Sequence, residues 1–170
     1  MSNDKKWKYA DAFQELLKNQ PFDKVNVSDI CERCGTFRAN FYYHFKNKEE
    51  LVRWIFEQDI EESKLVSQDF AARQSELFRI MKRRSAFYLK ALEDGFMGTY
   101  IDSSMKLLII EFFGANADSI TDEDIFKLRY IVSGCLMTIF EWMAGKIDAS
   151  EEELAEKICT TMDKLYRAKI

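Results

Sequence analysis

The chain is predicted to be all-α: a three-helix head at the N-terminus, joined by one long helix to a C-terminal helical bundle. Three observations predict it. Breakers are scarce, with six glycines and one proline in 170 residues, and in a helix interior each costs about 1 and about 3 kcal/mol respectively. Apolar residues recur three and four apart along most of the chain, the period of a helix buried on one face. Finally, Asn26 with Asp29, Asn47 with Glu50, and Ser150 with Glu153 have the spacing of capping boxes, in which a side chain and an acid three residues on satisfy each other's backbone amides.

The elements follow in order. Residues 5–19 form the first predicted helix, with Tyr9, Ala10, Phe13, Leu16 and Leu17 on one face; Pro21 ends it and Phe22 folds back onto it. A short helix over 27–34 is capped by Asn26, and Val25 can staple against Ile30. Gly35 supplies the left-handed turn that ends it. A second short helix covers 38–44. Below about 12 residues an isolated helix is marginal in water, so it must be held by packing, and Phe41 and Phe45 give it the face to do so. The long connector runs from 48 to about 66, with Leu51, Trp54, Ile55 and Phe56 in its first turns. Further helices are expected near 69–82, 84–94, 98–114, 122–145 and 151–168. Thr121 precedes three acids that the helix dipole favours, and Gly145 can close that helix. The organisation expected is thus a head over 1–50 and a body over 51–170.

Composition excludes several classes. Residues 1–50 carry nine Lys/Arg and eight Asp/Glu, a balance of +1, and residues 51–170 carry sixteen and twenty-one, a balance of −5; the sum is the net −4 of the whole. That asymmetry has the sign of a nucleic-acid-binding head on an acidic body, with modest, salt-sensitive binding per subunit. No apolar run reaches the roughly 20 residues that span a bilayer, and the polar, acidic start is unlike a secretory signal. No membrane partner is expected, and the location expected is cytoplasmic. Cys31, Cys34, Cys135 and Cys159 should therefore stay thiols. Cys31 and Cys34 form a C-x-x-C, but both fall on the inner face of a short helix and no second close pair completes a zinc site. With a single histidine, no phosphate loop and no nucleophile beside a base, neither an enzyme nor a cofactor or metal protein is indicated.

The segment NVSDICERCGTFRANFYYHFKNKEE, residues 26–50, has the layout of a helix-turn-helix. Such a motif sets the N-terminal residues of its second helix against base edges and its flanks against phosphates. Arg38 fits guanine O6 and N7; Asn40 can read adenine; Phe37 can touch a thymine methyl; Ala39 allows close approach. Ser28, Thr36, Tyr42, Tyr43, His44 and Lys48 are the expected phosphate contacts. Each has a plainer reading, since the tyrosines can cap the small core with wet hydroxyls and His44 can serve as an ordinary surface residue.

The last two helices carry more apolar surface than a monomer needs. Leu128, Val132, Cys135, Ile139, Trp142 and Met143 on one, and Ile158, Met162 and Leu165 on the other, form the expected interface of a homodimer, which would read a palindromic operator in double-stranded DNA. The aromatic and Met-rich body suggests a pocket lined by Tyr88, Phe96, Tyr100, Phe112 and Met137, although an ordinary core explains any one of them.

The head, in the lead-in from Phe22 to Val27, Asp29-Ile30, Gly35, Phe41-Tyr42, His44-Phe45 and Lys48 to Leu51, resembles the TetR-type transcriptional regulators. The stretches KRRSAFYLKAL and FEWMAGKIDASEEELAEKI extend the likeness to the branch that includes the coactivator of bacterial dihydroxyacetone kinase operons. The resemblance implies a homodimer built on the last two helices and a body that answers to a small molecule or, in that branch, to a partner protein. A helical adaptor acting through protein contacts alone is the alternative. Two positions depart from the family pattern: Thr36-Phe37 stand where many members have valine and a polar residue, and Asn40 replaces the usual threonine. The cap of the second short helix either moves to Thr36 or is absent.

Overall fold

The computed structural model describes residues 2–67, 69–113 and 119–167. Among these the architecture is helical throughout: α1 (Ser2–Leu17), a 3₁₀ turn (Phe22–Lys24), α2 (Val27–Arg33), α3 (Arg38–His44), α4 (Lys48–Lys64), α5 (Phe70–Arg83), α6 (Ser85–Glu93), α7 (Met97–Phe113), α8 (Asp122–Met143) and α9 (Glu151–Arg167). None of these helices is long and apolar enough to cross a membrane.

The ends are set by local chemistry. The Asn26 side chain accepts from the amides of Ser28 and Asp29, and Asp29 returns a bond to the Asn26 amide at 2.8 Å. Ser150 and Glu153 bond reciprocally at 3.0 and 3.1 Å. Asn47 accepts from Glu50 N–H at 2.8 Å, but the Glu50 carboxylate reaches one residue further back, to the Lys46 amide at 2.6 Å. At Gly35, φ of +65° lets Thr36 N–H turn back to the Cys31 carbonyl at 2.9 Å, a conformation any Cβ would strain. The same closure ends α6 at Gly95 and α8 at Gly145.

The head core is aromatic. Tyr9 meets Phe41 edge-on at 5.4 Å, Phe41 packs on Phe45 at 5.5 Å, and Phe45 meets Trp54 of α4 at 5.7 Å. The seven-residue α3 is therefore held by Phe41 and Phe45, both buried. In the body, α5 packs on α9 and α4, and α7 on α8 and α4.

Helix α6 and its flanking residues are fastened along α1 and the turn that follows it by five contacts. The Arg84 guanidinium lies 4.7 Å over the Trp7 ring, Phe87 meets Phe13 at 6.2 Å, Lys90 Nζ donates to the carbonyls of Leu17 and Gln20, and Phe96 packs on Phe22 at 4.5 Å. Beside this seam Asp59 of α4 is fully buried, accepting from Arg84 at 2.6 Å and from the Tyr88 hydroxyl. Burial pushes its carboxyl up to about 6, against the opposing pull of Arg84 and Tyr88.

Two expectations from sequence are corrected here. The aromatic pocket does not form: Tyr88 and Tyr100 are fully buried, Phe96 is spent on Phe22, Met137 is 48 % exposed, and the Phe112 side chain lies outside the described residues. Tyr88 and Tyr100 instead pack with Phe56 of α4 at 6.1 and 5.0 Å. The cavity the bundle does hold, about 50 Å³, is lined by Phe56, Phe78, Leu108, Leu136, Ile139 and Met162, with Gln74 and Ser104 as polar groups.

The expected dimer stripe is likewise used within the chain. Leu128, Val132, Ile139, Trp142, Met143, Ile158 and Met162 are buried and Cys135 lines the cavity; of the nine, only Leu165 is exposed. The apolar arc of α8 is wide enough that α5, α6 and α7 take its inner part. What remains outside is Ile125, Phe126, Tyr130 and Met137, with Gly134 between the last two.

Candidate nucleic-acid interface

The surface of α3 is built from its ends inward. Phe37 occupies the N-cap with no side-chain hydrogen bond, so the uncapped alternative holds. Thr36 is engaged elsewhere: its hydroxyl accepts from Asn40 Nδ2 at 3.0 Å and lies 3.4 Å from the Tyr9 hydroxyl. Phe37, Arg38, Ala39 and Asn40 are all exposed on the first turn. One turn on, Tyr42 accepts from Arg38 Nη2 at 3.2 Å, with the guanidinium 5.7 Å from its ring.

A groove lies on each side of this helix. The first, about 340 Å³, is lined by Lys5, Lys8, Thr36, Asn40, Tyr43 and His44, among others, and by no acid among the described residues. Burial pushes the His44 imidazole below its ordinary value, and Lys6 and Lys5 push it the same way. Two lysines, a histidine and a hydroxyl around one groove suit a phosphate. The second groove brings the amino ends of α2 and α4 together, with Ser28, Arg38, Tyr42, Lys46 and Asn47 on its walls. The dipole ends of both helices are positive toward an anion, although the caps already occupy the amides of Ser28 and Asp29 on α2 and of Glu50 on α4. Asp23, Asp29 and Glu49 also line it, which tempers its charge.

Lys48 does not face outward. Its ammonium donates to the carbonyls of Phe22 and Val25 at 2.7 and 2.8 Å and sits 4.2 Å over the Phe22 ring. It locks the α1–α2 connection to α4, and its charge is spent on carbonyls. Lys5, Lys8 and Lys46 are the basic residues that sequence reasoning missed. Lys5 and Lys8 are three apart on α1 and so share a face, but nothing in the sequence says that the face adjoins α3. Cys31 and Cys34 are free thiols; Cys34 Sγ donates to the Ile30 carbonyl at 3.1 Å, and burial pushes both thiols up.

Two family models match this chain. Residues 11–55 match the model of the bacterial regulatory proteins of the tetR family, and residues 74–164 match that of a transcriptional regulator C-terminal region. An HTH-type dhaKLM operon transcriptional activator, DhaS, of Lactococcus lactis subsp. lactis (strain IL1403) is 36 % identical over 84 residues; the match spans 48 % of this chain and 45 % of that protein. Among solved structures, a dihydroxyacetone kinase operon activator DhaS superposes with a TM-score of 0.64 at 26 % identity, over 95 % of this chain and 96 % of the other. The TetR family repressor AlkX from Dietzia shares the fold, with a TM-score of 0.52 at 16 % identity over 96 % of each chain.

Proposed function

We propose, from the premise that this chain belongs to the TetR family of bacterial transcriptional regulators, that it acts as a homodimer on a palindromic operator and that its body governs the output. The observation that carries the reading is the first turn of α3, with Phe37, Arg38, Ala39 and Asn40 all exposed between two grooves suited to phosphates. Base readout is assigned to these four residues, and phosphate contact to Ser28, Thr36, Tyr43 and His44, joined by Lys5, Lys8 and Lys46. The head over 1–50 performs the reading and the body over 51–170 the regulation.

Dimerisation is assigned to the outer stripe of α8, Phe126, Tyr130 and Met137, together with Leu165 of α9. Tyr130 and Leu165 line a groove of about 680 Å³ between the two helices, in which Gly134 and Thr138 allow close approach. Two-fold packing of α8 and α9 would bury that stripe. The likeness to the DhaS activators supports activation of a dihydroxyacetone kinase operon as the output. Among the described residues the cavity inside the bundle, about 50 Å³, is well below the about 300 Å³ that a drug-sized ligand needs, and the larger groove between α8 and α9 lies on the face assigned to the dimer; a partner protein is therefore favoured over a small molecule as the signal.

A gel shift with DNA from upstream of the gene, across a salt series, tests the reading. Wild type should bind and lose affinity steeply with salt, and the double variant Arg38→Ala, Lys8→Ala should bind at least tenfold more weakly. Equal, weak binding by both proteins would refute DNA regulation and leave the adaptor alternative.

A further inference from the structure

We infer that Phe37 and Arg38 together read a thymine beside a guanine in each half-site, and that Tyr42 is the positioning residue that presents Arg38. The inference rests on the DNA-binding reading above and specifies what the DNA must contain.

Phe37 stands where a helix ordinarily places Ser, Thr, Asp or Asn. Its side chain caps no amide of α3 and is 80 % exposed. Neither capping nor packing within the chain accounts for an aromatic ring at this position. In the major groove the thymine C5-methyl is the apolar group that distinguishes one base from the others, and an exposed ring at the tip of a recognition helix is suited to covering it.

Arg38 follows immediately. Its guanidinium is held at one corner by the Tyr42 hydroxyl, 3.2 Å from Nη2, and lies 5.7 Å from the Tyr42 ring. An arginine held in this way loses less freedom when it meets guanine O6 and N7 with its planar fork. Tyr42, expected from the sequence to contact phosphate, thus acts through Arg38. Asn40 has one amide donor engaged by Thr36 at 3.0 Å, and Ala39 carries only a methyl, so among the four readout residues the pair at 37 and 38 contributes most to discrimination. Phe37 at the extended N-cap and Arg38 at the first helical position are adjacent in the chain and both exposed at the tip of α3, so their side chains can reach neighbouring base pairs.

The test is selection from a randomised duplex pool with the full chain, followed by titration of the enriched duplex. The enriched half-site should contain a thymine adjacent to a guanine. Replacing that thymine by deoxyuridine removes only the methyl; it should weaken wild type about fourfold and leave Phe37→Ala unaffected. Replacing the guanine by 7-deazaguanine should weaken wild type about tenfold and leave Arg38→Ala unaffected. Tyr42→Phe should keep its affinity for non-specific DNA while its preference for guanine over adenine at that position falls. An enriched half-site without the pair, or a Phe37→Ala protein as sensitive to the methyl as wild type, would overturn the inference and leave the regulator intact. Enrichment of no sequence would overturn the regulator reading itself.

Discussion

Asp59 offers a direct test of the seam between head and body. Its carboxyl is fully buried, touches Arg84 and Tyr88, and is pushed from an ordinary 3.8 up to about 6 by burial. A carboxyl raised in the folded state binds more protons there than in the unfolded chain. Its contribution to stability is therefore greatest at low pH and is lost as pH rises through about 6. With those two values, lowering the pH from about 7 to about 5 should return about 1.3 kcal/mol from this group alone. Asp59→Asn keeps an acceptor for Arg84 and Tyr88 but cannot titrate. Urea unfolding of both proteins at the two pH values, at one fixed protein concentration, isolates the difference. Wild type should gain about 1 kcal/mol more than the variant on acidification. A difference of zero, or one of opposite sign, would show that the Arg84 pair outweighs burial and that Asp59 stays ionised throughout.

Three further outcomes follow from the geometry. Lys48→Met should cost about 2 kcal/mol in thermal or urea unfolding by removing two charge-assisted bonds, yet leave the salt slope of DNA binding unchanged; Lys5→Ala should lower that slope by about 1. His44 is held below its ordinary value by burial and by Lys6 and Lys5, and a phosphate in its groove would favour the imidazolium. DNA affinity by fluorescence anisotropy at constant ionic strength should therefore rise as pH falls from about 8 to about 6, and His44→Gln should be flat; equal slopes would remove His44 from the phosphate contacts. Tyr130→Glu with Met137→Glu should give a folded monomer by light scattering and circular dichroism, whereas Ile139→Glu, at a buried position, should unfold the chain. A dimer that survives the double substitution would displace the proposed interface.

Helix ends were legible because their causes are local. Asn26, Ser150 and Gly35 each act on amides and carbonyls within five residues; the break at Gly95 falls where expected, and the one expected at residue 83 falls one residue on, at Arg84. Glu50 missed its expected partner by one residue, accepting from the Lys46 amide instead of that of Asn47. The errors concern direction. Periodicity shows that Leu128, Val132 and Ile139 share an apolar face, but whether that face meets α7 or a second chain depends on helices distant in sequence. Lys48 has the same ambiguity, since a lysine at a helix amino end beside a helix-turn-helix resembles a phosphate contact until Phe22 and Val25 are seen to offer it carbonyls. Tyr88 and Phe96 looked like pocket residues because nothing local reveals that α6 lies along α1.

Phe22 is where those distant parts converge. Its ring meets Phe13 of α1 at 5.4 Å and Phe96 at the start of α7, and Lys48 caps it while binding its carbonyl. A genetic screen for lost regulation should therefore recover substitutions at Phe22, Lys48 and Lys90 alongside those at Arg38. A map of such positions would trace the joint as well as the DNA face, and genetic importance alone would be a poor guide to which residues touch the operator.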